Sequence, residues 1–160
     1  MTSICHTRPS GAMFGLAQIT PFRNTPWKEL MQLPTIAERV AALKDPATRD
    51  RLIKRSMETG MNVDPALLHP MGTGDTPDFD LDDQRSLKQL AAAEGKDPIE
   101  FYIDRLIASE GRELWNYWAF GGYLKSQWEY MKMPHCVPML GDAGAHVGIF
   151  TDTDRRKSVV

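Results

Sequence analysis

The stretch from Pro134 to Phe150 constrains the fold of this chain more than any other. Cys136, Val137, Met139 and Leu140 make a short apolar run that breaks at Gly141, and a run of that kind closed by glycine suits a parallel strand buried on both faces. Asp142, Ala143, Gly144, Ala145 and His146 follow directly. A carboxylate there projects from the carboxyl end of the strand, the place where barrels and open α/β folds keep their reactive groups. Gly141, Gly144 and Gly148 allow tight backbone paths and close approach of a ligand. Residue types alone also fit a glycine-rich turn in which Asp142 caps a following helix or bonds local amides.

The rest of the chain reads as support for that stretch. A strand is expected around Ser3 to His6, then Arg8-Pro9-Ser10-Gly11, a turn, and an apolar run from Ala12 to Leu16. Residues 20–61 read as a helical excursion. Thr35 caps a helix through Leu43, and Asp45-Pro46 opens another that Gly60 ends. Leu52, Ile53 and Met57 are expected on its buried side, with Arg49, Asp50, Arg51, Lys54 and Arg55 as a solvated face. Residues 61–83 are polar and irregular. Their aspartates lack the central glycine and closing glutamate of a calcium loop.

Order returns beyond Asp83. Leu87, Leu90 and Ala91 give a helix that stops near Gly95, and Asp97-Pro98-Ile99-Glu100 starts another, with Tyr102, Ile103, Leu106 and Ile107 facing inward. Glu113 to Phe120 can pair as a strand, and Leu124 to Met131 returns as a helix toward the strand at Cys136. That order predicts a parallel βαβ unit with a right-handed crossover. Trp115, Tyr117, Trp118 and Phe120 are read as packing.

Composition narrows the classes. The chain has 160 residues, 42% of them hydrophobic and 25% charged, and a net charge of -2, ordinary values for a soluble globular protein. Basic residues are interspersed with acids, so nucleic acid is not an expected partner. Nothing approaches the ~20 apolar residues of a membrane span. Cys5 and Cys136 suggest no disulfide framework, so a cytoplasmic setting is expected.

Gly141-Asp142-Ala143-Gly144-Ala145-His146, with Pro134-His135 before it, closely resembles the last-strand motif of the amidohydrolase superfamily, in particular its D-aminoacylase (N-acyl-D-amino-acid deacylase) branch. Further landmarks in the same order are Arg8-Pro9, Pro70-Met71-Gly72 with Pro77-Asp78-Phe79, Gly95-Lys96-Asp97-Pro98 and Gly111-Arg112-Glu113-Leu114. The resemblance covers most of the chain. It implies a metal-dependent hydrolase of amide-type carbon–nitrogen bonds, acting on a small-molecule N-acyl amino acid or a related amide, built on a (β/α)8 barrel. It also implies that Asp142 is the catalytic proton shuttle and a metal contact, that Arg8 meets a substrate carboxylate, and that His146 contacts substrate. The expected cofactor is zinc, which lowers the pKa of its bound water to about 7.

The chain departs from that pattern in two ways. His6, His69, His135 and His146 are scattered, with no His-x-His pair, whereas a zinc site takes about three or four protein ligands. A complete barrel also needs about 250 residues. The expected fold is therefore α/β, a partial (β/α)8 TIM-type barrel over residues 1–160, with a helical insertion at 20–61 and the last-strand motif at 134–150. The alternative expectation is a catalytically incompetent fragment that takes its missing strands from a partner or a longer chain.

Overall fold

A computed structural model describes residues 3–5, 10–73, 76–78, 83–120 and 124–138. Local sequence signals set most element boundaries. Asn24 precedes helix α1 (Thr25–Gln32) and its side chain accepts from the Trp27 backbone N–H at 3.3 Å. Thr35 and Glu38 form a reciprocal capping box at the start of α2 (Ile36–Lys44), which satisfies amides that have no partner inside the helix. Asp45 ends α2 and also caps α3 (Pro46–Thr59), while Gly60 closes α3 at φ 74. The excursion at residues 20–61 is thus three helices.

One face of α3 differs from expectation. Leu52 is fully buried, but Met57 is 46% exposed and Ser56 is buried in its place. The cause is a hydrogen bond. Trp27 Nε1 donates to Ser56 Oγ at 2.9 Å, and a buried indole N–H is favoured by having an acceptor.

Strand β2 (Ser10–Phe14), β3 (Leu68–Pro70) and β4 (Trp115–Phe120) form an antiparallel sheet in the order β2-β4-β3. The register slips between Ser10 and Ala12. Gly11 sits at that slip, where an added Cβ would lie 1.9 Å from the Tyr117 carbonyl oxygen. Only glycine permits so close a backbone approach. Helices α4 (Leu87–Ala93) and α5 (Pro98–Ala108) start at Ser86 and Asp97, whose side chains accept from Gln89 N and Ile99 N.

The core lies between these helices and one face of the sheet. Trp27, Leu43, Leu52, Tyr102, Ile103, Leu106 and Trp115 are all fully buried, each apolar side chain contributing about 1.5–3 kcal/mol relative to exposure. Phe22 stacks on Trp27 with ring centroids 4.6 Å apart, and Tyr102 lies 5.5 Å from Trp115. Ile107, expected to face inward, is only partly buried.

A second, smaller sheet joins β1 (Ser3–Cys5) to β5 (Cys136–Pro138) in parallel. Helix α6 (Leu124–Met131) packs against both strands. This corrects the expected βαβ unit: β5 does not pair with β4. Both edges of β4 are occupied by antiparallel partners, β2 and β3, so β4 has no edge left for a parallel neighbour. The apolar run after Arg8-Pro9 likewise enters the antiparallel sheet as β2. The fold is mixed α/β. The described strands make a parallel pair and an antiparallel triplet, not a closed barrel. No described helix is long and apolar enough to cross a membrane.

Candidate functional site

The parallel pair is the part of the fold that bears on the sequence motif. Ser3, Ile4 and Cys5 stand opposite Cys136, Val137 and Pro138, so the chain leaves both strands from the same end of the pair. In the sequence, Arg8 follows Cys5 by three residues and Asp142 follows Pro138 by four. Arg8, Asp142 and His146 themselves lie outside the described residues, as does the strand expected over Met139 and Leu140. What the structure supplies is the strand ahead of the motif, its parallel sense and its neighbour. Cys136, on β5, is partly buried and is a free thiol.

Among the described residues, polar side chains gather on the far face of the antiparallel sheet. Alternation along β4 sends Trp115 and Tyr117 to the core and Asn116 and Trp118 to the other face. His69 is the register partner of Asn116, and its ring lies 4.5 Å from that of Trp118. All three are buried. Among the described residues, no hydrogen-bond donor reaches the buried Asn116 Oδ1. This set was not singled out from sequence, where His69 is one of four scattered histidines. The signal was the single amide in Trp-Asn-Tyr-Trp, which period-two alternation puts on the aromatic side away from the core.

Just before β4, Glu113 is fully buried and paired with Arg105, whose Nε donates to Glu113 Oε2 at 3.0 Å and whose second nitrogen donates to Oε1. Two parallel bonds of this kind fix both planes. The bond to Glu113 raises the Arg105 pKa above its ordinary value, against a smaller opposing effect of burial. Burial, with Glu113 nearby, pushes the Tyr102 hydroxyl far above the usual phenol range. Tyr102 is therefore a neutral group. The pair anchors α5 to the start of β4 and offers no exposed reactive carboxylate.

Among the described residues, no group of three or more His, Cys, Asp or Glu side chains is placed to hold a metal ion. His69 is buried against an indole, and His135 stands exposed. The described residues therefore do not themselves form a zinc site. No family model, curated protein or solved structure matches the chain.

Proposed function

We propose that the chain belongs to a metal-dependent hydrolase of non-peptide carbon–nitrogen bonds, of the N-acyl-D-amino-acid deacylase type. In this reading β1 and β5 are neighbouring strands of a (β/α)8 barrel, and the segment between them is an elaborate connection. One observation carries it: the strand leading to the Gly-Asp-x-Gly-Ala-His motif is parallel to a neighbour, as a carboxylate at a barrel mouth requires. Bound zinc would supply an activated water. Asp142 would take the water's proton and pass it to the leaving nitrogen. Arg8, three residues beyond the neighbouring strand in the sequence, would hold the substrate carboxylate through a two-pronged contact, and His146 would contact the substrate.

A second reading also has support. The described residues provide no metal-ligand cluster, and β5 exposes Val137 at 49%, although parallel sheets are normally covered on both faces. These facts fit a chain that needs further strands before it can assemble a site. Zinc content and amino-acid release from an N-acetyl-D-amino acid separate the two. Zinc-dependent release that an Asp142→Asn change abolishes supports the hydrolase reading; a chain that binds no zinc and releases nothing supports the second.

A further inference from the structure

We draw no further inference here: the strongest candidate, the buried side-chain cluster of His69, Asn116 and Trp118 on the face of the antiparallel sheet turned away from the core, carries nothing because nothing among the described residues shows what covers that face.

Discussion

Cys5 and Pro138 are partners in a parallel ladder, although almost the whole chain lies between them. The pairing makes everything from Ser10 to Met131 a connection between two neighbouring strands. Connections this long carry their own core, and this one does: the antiparallel sheet and helices α1 to α5 enclose the buried aromatic and aliphatic cluster. Cys5 and Pro138, the last described residues ahead of Arg8 and Asp142 in the sequence, are therefore held side by side in one small sheet.

The junction of α1 and α3 depends on one hydroxyl. Ser56 Oγ accepts from the buried Trp27 Nε1 and from Asn24 Nδ2. Ser56→Ala removes the acceptor and leaves the indole N–H buried without a partner, at a cost of about 1–3 kcal/mol. Urea denaturation should show a lower midpoint with an unchanged slope. An unchanged midpoint would mean that the indole finds another acceptor.

Tyr102 behaves in the opposite sense. Its hydroxyl is buried and has no hydrogen-bond partner among the described residues, while its ring packs on Phe22, Trp27 and Trp115. Tyr102→Phe keeps the ring contacts and removes a desolvated polar group, so stability should stay level or rise. Thermal unfolding of the two proteins checks this, and a drop in midpoint of several degrees would reveal a bond to that hydroxyl.

Those two residues show where sequence reading succeeds and where it stops. Thr35, Asp45, Gly60, Asp97 and the helix over Leu124–Met131 were legible, because capping and termination depend on a few neighbouring side chains. The strand at Trp115–Phe120 was legible too, but its partners were not. Pairing sense is decided by contacts far apart in sequence, and alternation along β4 reads the same beside β2 as it would beside β5. Met57 was placed inward by periodicity alone; nothing local showed that Trp27 would need Ser56. For the site, sequence offered Asp142, Arg8 and His146 through a motif. The structure contributes the parallel strands that precede two of them.

Asp45 gives a dependence on pH whose sign can be fixed. The Thr48 hydroxyl and backbone N–H hold its carboxyl below the ordinary 3.8, against a smaller effect of burial. A carboxyl with a lowered folded-state pKa stabilises above the unfolded value and loses that contribution as pH falls through the folded value. The cap at α3 should therefore weaken only in acid below about 3.8. Asn is an equally good cap that does not titrate. Stability measured from pH 5 down to 2 should fall less steeply for Asp45→Asn than for the parent, and identical slopes would remove Asp45 from the acid response.

The proposed chemistry rests on the Asp142 carboxylate moving a proton for a metal-activated water. The direct measurement is the rate of free amino-acid release from an N-acetyl-D-amino acid by the zinc-supplied chain, compared with its Asp142→Asn variant of matched fold. Loss of a positioned proton shuttle should slow release by about 10²–10⁴-fold. Equal rates in the two proteins, or no release from either, would contradict it.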